Sequence, residues 1–524
     1  MTYSTLQSKT PQLCIAIIIA ILTTGFLRLQ LFSGVPAPDD GFYIFHSQYI
    51  YYALTNGQDL KTMTLNLYQL MASWVYGLDV NQYVSLRLID GLVAVATSIV
   101  LFKVILKESN STLFTVILMS TLLILMNGLE NIGYGFRNSI WAAYLPLFSA
   151  LLVWQNASTE DKYSFYLIGG LVSLGILLRE PFLPFFLLAG IAILIGYGWR
   201  VLVKYLIGSA LLGFSVLGFM LMLRGWDLLG LIESYLYIGG GLSNYKNLSS
   251  DFFNFFGLSS VKSNWFIYIT ASVSIIYLIK LNSTNKKSVS TNRFYFWLGV
   301  VLLPILEPMM KIGMEYHFAN CLPGLAGLSA MGWKYMSSQE SERTKAISIT
   351  VIGLISLFMI LPTIDRTLIK SSYIYGPVDA IKWAKASDSF RGAQMIERSQ
   401  YLTAAAKIYG LSRENSTLVV SGHMQGLNPL TGLLPPTYGL NDLKSLYSNL
   451  NFDQEKLISI IKKYRPTLIL TTHLSSRLLD IKEKDLPSII EKTNLYNKVE
   501  MMEENLEINY GWKAGTIYRL KDFK

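Results

Sequence analysis

Cysteine and histidine are the first scarcities in this chain, with two cysteines and four histidines in 524 residues. Cys14 and Cys321 both fall inside apolar runs, so the sequence offers no disulfide framework. No grouping of His, Cys and Asp has the spacing of a zinc site. Charge is scarce as well: 15% of residues are charged, against about a quarter in an ordinary soluble domain. A glycine-rich phosphate loop, a Gly-x-Ser-x-Gly nucleophile elbow and any internal repeat are also missing, which argues against the chemistries and architectures those motifs mark. The net charge of +10 would suit nucleic acid, yet the basic residues form no single stripe. They fall in short loops between apolar runs, where orientation signals belong.

What is abundant is apolar sequence. Hydrophobic residues make up 52% of the chain, and mean hydropathy is +0.39. They come in runs of about 17–22 residues, the length that crosses a ~30 Å hydrocarbon core. Candidate spans fall at 12–32, 83–106, 112–128, 138–155, 164–179, 181–199, 201–223, 264–280, 294–310, 317–335 and 346–363, about eleven by the length rule. Lys103, Lys107, Lys162, Arg200, Lys204, Lys280, Arg293, Lys334, Arg343 and Lys345 crowd one side, and the positive-inside bias makes that side cytoplasmic. The other side receives the loop 33–82, the short loop 129–137, the loop 224–263 and everything after about 364. The first run has no small-residue cleavage site behind it, so it reads as a retained span.

The first outer loop is more than a linker. Segment 42-FYIFHSQYIYYALTNG-57 carries Phe42, Phe45, Tyr49 and Tyr52 at helical spacing, and 62-TMTLNLYQLMASWVYGL-78 is a second helix too polar to span. Both read as helices lying in the headgroup plane, with a break at Asn56-Gly57. From about residue 365 the composition changes. Helix-like segments at 378–387, 400–409 and 453–463 alternate with β-rich runs at 417–422 and 467–472 and a terminal hairpin at 505–520. The expected fold is therefore a polytopic α-helical membrane protein, with a membrane module over 1–364 and an extracytoplasmic α/β domain over 365–524.

Ionisable residues at the outer membrane edge form the candidate site. Asp39 and Asp40 follow Pro36 and Pro38 just beyond the first span. Glu130 and Arg137 flank the short loop, Arg179 and Glu180 stand before Pro181, and Glu307, Lys311, Glu315, Tyr316 and His317 occupy 304-PILEPMMKIGMEYHFANCLPG-324. Charge at membrane depth costs at least about 2.5 kcal/mol by insertion scales, so each group requires a partner or a wet cavity. Each also has a plainer reading. One of the two aspartates can cap a helix over 41–55, and Glu307 and Lys311 can pair at i,i+4. Arg87 and Asp90, three apart in one span, read as an intramembrane ion pair. His46 and His317 read first as interface or packing groups, and His423 and His473 as structural groups at strand ends.

Three segments in this order resemble a known superfamily. They are 36-PAPDDGFY-43 after the first span, the Arg-led span 85-SLRLIDGLVAVATSIVLFKV-104, and 311-KIGMEYHFANCLPGLAGLSA-330 with its Lys, Tyr, Pro and Ala. The segments 426-GLNPLTGLLPPTYG-439 and 464-YRPTLILTTH-473 add a likeness in the C-terminal part. Together they resemble the GT-C membrane glycosyltransferases, in the branch of bacterial protein O-mannosyltransferase-like enzymes and the lipid A aminoarabinose transferase. The resemblance implies a polyprenyl-phosphate sugar donor and a glycan, lipid or protein acceptor, handled at the outer face of the bacterial inner membrane, with no nucleic acid. It makes Asp39 or Asp40 the general base, with Arg137, Arg179, Lys311 and His317 facing the leaving phosphate. Glu130, Glu180 and Tyr316 line the substrate site in the same picture. A divalent metal, used by some relatives, would fall on Glu130, which has no second acid beside it. An O-antigen ligase or polymerase and a lipid flippase are the competing readings; the missing inverted repeat and the long C-terminal part speak against the flippase.

Overall fold

The computed structural model describes residues 9–29, 38–57, 60, 67–78, 82–128, 138–158, 160–161, 163–179, 182–232, 258, 260–283, 291–310, 318–375, 398–421, 424–443, 446–447, 450–474, 485–501 and 512–523. The first apolar run forms α1 (Lys9–Ile19), a π-helical stretch (Ala20–Gly25) and α2 (Phe26–Leu29). Next come α3 (Pro38–Thr55) and α4 (Leu67–Ser73), which ends in a 3₁₀ turn (Trp74–Gly77). The apolar series continues with α5 (Gln82–Ser109), α6 (Thr112–Asn127), α7 (Asn138–Trp154), α8 (Ser164–Leu178), α9 (Leu183–Tyr197) and α10 (Trp199–Leu223). It ends with α11 (Trp265–Ser283), α12 (Thr291–Met310), α13 (Leu322–Ser337) and α14 (Glu342–Tyr375).

Three of these helices contain stretches long and apolar enough to cross a membrane, Ser85–Ser109, Trp199–Leu223 and Glu342–Ile364. Seven shorter apolar helices of 10–17 residues accompany them. Ile195, Leu211, Phe214, Ile276 and Phe358 on α9, α10, α11 and α14 stay exposed. An apolar outer surface of this kind suits lipid better than water. The helices have the length, composition and outer faces of a helical membrane protein.

The helices pack closely where small residues allow it. Gly169 on α8 and Gly208 on α10 face each other's backbones, and a methyl group on either would collide with the Tyr205 or Tyr166 carbonyl. Ser209 Oγ donates to the Gly169 carbonyl at 3.0 Å across the same contact. Small residues at a helix crossing let dispersion contacts replace the hydrophobic drive that lipid removes. Elsewhere in the bundle the Phe114 and Trp333 rings stack at 4.6 Å, tying α6 to α13.

Beyond α14 the chain forms α15 (Arg398–Leu411), β1 (Leu418–Val420), α16 (Leu427–Thr431), α17 (Gln454–Tyr464), β2 (Leu468–Leu474), α18 (Asp485–Lys492), β3 (Tyr496–Met501) and β4 (Trp512–Leu520). The sheet order is β1-β2-β4-β3. β1 and β2 run parallel, with Val419 opposite Ile469, and β4 is antiparallel to both neighbours. Strand residues alternate between two apolar clusters. Leu418, Val420, Leu468 and Leu470 pack with α15 and α16. Val419, Ile469 and Tyr518 pack with α17 and α18. Period-2 alternation over a two-sided core produces this layering.

Two expectations change here. The acidic pair lies inside α3, since the helix begins at Pro38 rather than after residue 40. Proline suits the first helical turn because its missing N–H has no intrahelical partner there, and carboxylates are favoured beside the helix N-terminus. The partner of the terminal strand is β3 at Tyr496–Met501, earlier than the hairpin expected at 505–520. The helix expected over 378–387 lies outside the described residues.

Candidate functional site

The geometry starts from the end of α2. Arg28 is buried and donates through Nη1 to Asp90 of α5. Its Nε donates to Asn127 Oδ1 at the end of α6, 2.8 Å away. Its guanidinium also lies 5.2 Å from the centroid of Trp141 on α7, within the range of a cation–π contact. Asn127 Nδ2 continues to Thr24 at 3.3 Å, and Thr24 shares a 3.0 Å hydrogen bond with Ser98. One arginine thus joins α2, α5, α6 and α7 at a single end of the bundle. The Arg87–Asp90 reading did not name this partner: Asp90 Oδ2 also meets Arg28, from a helix 62 positions earlier.

The same end carries α3 and α4. Helix α3 packs along α4, and α4 also touches α7 and α8. Tyr76 in the 3₁₀ turn donates to the Ile44 carbonyl at 2.9 Å and fixes the two segments together. Arg224, just past α10 and fully buried, donates through Nη1 to the Leu60 carbonyl at 3.2 Å, with Asp227 at 3.8 Å from its Nη2. Arg179 caps α8 in extended conformation and is buried. Since α7 and α8 pack together and follow one another in the chain, Arg179 at the end of α8 lies toward the end where α7 begins. Four buried arginines among the described residues, Arg28, Arg87, Arg179 and Arg224, therefore lie toward the end of the bundle that bears the acidic pair.

Asp39 and Asp40 occupy the first turn of α3. Two turns on, the helix meets the C-terminal part of the chain. Tyr438 Oη and His46 Nδ1 share a 2.7 Å hydrogen bond, linking residues 392 positions apart. The Tyr438 ring stacks nearly parallel to Phe45 at 6.4 Å and packs edgewise on Tyr49 at 5.4 Å. Helix α16 touches α3 as well. Burial, reinforced by the Tyr49 oxygen, pushes the Tyr438 phenol well above the usual tyrosine range, with Asn441 pulling the other way. Tyr49 is also raised by burial, against a hydrogen bond from the Tyr438 backbone.

The remaining sequence candidates divide simply. Glu130, Arg137, Glu180, Lys311, Glu315, Tyr316 and His317 lie outside the described residues, as does His423. Glu307 is on α12 and His473 on β2. Among the described residues no group of three or more His, Cys, Asp or Glu fits a metal ion. Arg28, Arg224 and Tyr438 are the groups that sequence reasoning passed over. An arginine inside an apolar run was the available signal for the first, and a Trp-Asp turn directly after a span for the second. Comparison with family models and with curated proteins finds no match.

Proposed function

We propose that this protein is an inverting glycosyltransferase of GT-C type, taking a sugar from a polyprenyl-phosphate donor at the outer face of the bacterial inner membrane. In this reading about eleven helices span the bilayer, and the C-terminal α/β unit stands outside it. The observation that carries the proposal is the acidic pair in the first turn of α3, at the bundle end where Arg28, Arg179 and Arg224 are buried.

Asp39 or Asp40 takes the proton of an acceptor hydroxyl or amine. The acceptor atom then forms its bond to the anomeric carbon as the bond from that carbon to the phosphate oxygen breaks, and polyprenyl phosphate leaves. A free carboxylate has a pKa of about 4, so the base works by position and partial desolvation more than by strength. Charge on the departing phosphate is met by cations, for which Arg137, Arg179, Lys311 and His317 are the candidates. Aromatic helices α3 and α4 line the route by which the lipid tail arrives from the bilayer.

The test uses purified full-length protein in detergent with a panel of radiolabelled polyprenyl-phosphate hexoses, scoring sugar release or transfer. Wild type is run beside Asp39→Asn and Asp40→Asn. One of the two variants should lose at least about 100-fold in kcat, the usual scale for removing a general base, while retaining its elution profile. Turnover untouched in both variants rejects the mechanism.

A further inference from the structure

We infer that Tyr438 is a positioning residue: the C-terminal unit, through this side chain, sets the placement of the helix that carries the acidic pair. The inference rests on the transferase reading for its catalytic half and on geometry alone for its structural half.

The contact is built on α3 itself. His46 and Phe45 are almost fully enclosed, and Tyr49 is buried beside them. All three touch Tyr438, at 5.2, 6.4 and 5.4 Å between ring centroids. The three positions span little more than one helical turn, so one ring from a distant segment grips one sector of α3. Tyr438 itself is partly exposed as a residue, with its hydroxyl enclosed. Its hydroxyl finds His46 and its ring packs edgewise on Tyr49. A helix held only by apolar packing can roll about its axis. A hydrogen bond at His46 with ring contacts at Phe45 and Tyr49, all within about one turn, restricts that freedom.

Helical geometry carries the effect to the acids. His46 follows Asp39 by seven positions, about two turns and 10 Å along the axis, which returns to the same stripe of the helix. Fixing the roll of α3 at His46 therefore fixes the azimuth of its first turn. Helix α3 also packs against α4 and the 3₁₀ turn, including the Tyr76 bond to Ile44. Tyr438 comes from the C-terminal unit, so α3 is held by two separate parts of the chain. A shift of about 1 Å at a reacting group can cost on the order of 100-fold in rate. Tyr438 is within reach of imposing or removing such a shift without touching substrate.

Hydrogen–deuterium exchange on the full-length protein in lipid nanodiscs reads the structural half. Tyr438→Ala should speed exchange at amides 41–50 by roughly tenfold or more, the factor for losing one hydrogen bond and its ring contacts. Strands β1–β4 should keep their protection. Tyr438→Phe keeps the ring and should show a smaller acceleration at the same amides, which covers the case in which the alanine variant disturbs the sheet. Unchanged exchange at 41–50 in both variants overturns the inference.

Turnover with a polyprenyl-phosphate hexose reads the catalytic half. In Tyr438→Ala kcat should fall about 100-fold with donor KM within about twofold, and Tyr438→Phe should recover most of it. Faster exchange with kcat unchanged removes the positioning role. Wild type without turnover on any donor overturns the transferase reading and the catalytic half with it, and the exchange result still decides the structural half.

Discussion

Arg28 shows how far one residue's surroundings can be from its sequence neighbourhood. In the chain it is a single cation near the end of a long apolar run; in the fold it is the hub of Asp90, Asn127 and Trp141. Two charges buried together gain from each other about what desolvation takes away, so the pair as a whole adds little stability, whereas half of it is expensive. Asp90→Ala alone should therefore destabilise the protein by about 3–5 kcal/mol, because the arginine stays buried without its counter-charge. The double replacement Arg28→Met with Asp90→Leu should recover most of that loss. Thermal unfolding in detergent, followed by size-exclusion recovery, measures both. Equal losses in the single and double variants would mean that the ion pair is a net stabiliser and that this account of it is wrong. The spacing of Arg87 and Asp90 pointed to a partner within one helix and could not show Arg28, because a tertiary partner 62 positions away leaves no trace in local sequence.

At the scale of elements, apolar run length located most of the helices. The runs at 112–128, 138–155 and 164–179 became Thr112–Asn127, Asn138–Trp154 and Ser164–Leu178, because in a chain this apolar the ends are marked by the first polar residues. Less legible were the π-helical stretch Ala20–Gly25 and the early start of α3, which depend on local hydrogen-bond choices that hydropathy does not encode. Glycines were ambiguous for the same reason: only the fold separates those at a crossing from those on a free face. Gly208 and Gly213 lie on one helix and make the distinction testable. A methyl at Gly208 meets the backbone of Tyr166, which cannot rotate away. At Gly213 the nearest atoms belong to the Ser173 side chain at 3.6 Å, an ordinary contact. Gly208→Ala should thus lose about 1–3 kcal/mol through overpacking. Gly213→Ala should be neutral or slightly stabilising, since alanine is the better helix former. The same unfolding assay compares them, and equal effects at the two sites would refute the close crossing of α8 and α10.

For the whole molecule, the sidedness of the C-terminal unit decides whether the proposed chemistry is feasible. The β-rich runs and α17 were visible in the sequence, whereas the union of Tyr438 with His46 was not, since it joins opposite ends of the chain. The geometry of α14 links that union to the membrane. Its 34 residues amount to about 51 Å of helix, well beyond a ~30 Å hydrocarbon core. Its apolar stretch is Glu342–Ile364, so where that stretch spans the bilayer, as proposed, the remainder continues past it on the side away from Gln339, in the loop before the helix. Helix α14 also touches α15, and in the proposed arrangement the sheet stands at that far end together with α3. In the proposed orientation, positive charge near Lys334, Arg343 and Lys345 keeps Gln339 cytoplasmic, and Asp522, exposed after β4, is expected outside. In a Cys14→Ser, Cys321→Ser background, Asp522→Cys should react with a membrane-impermeant maleimide on intact spheroplasts, and Gln339→Cys only after permeabilisation. The reverse pattern would place the acidic pair in the cytoplasm and withdraw the outer-face donor from reach. Labelling of both from outside would instead break the link drawn here between α14, the sheet and α3.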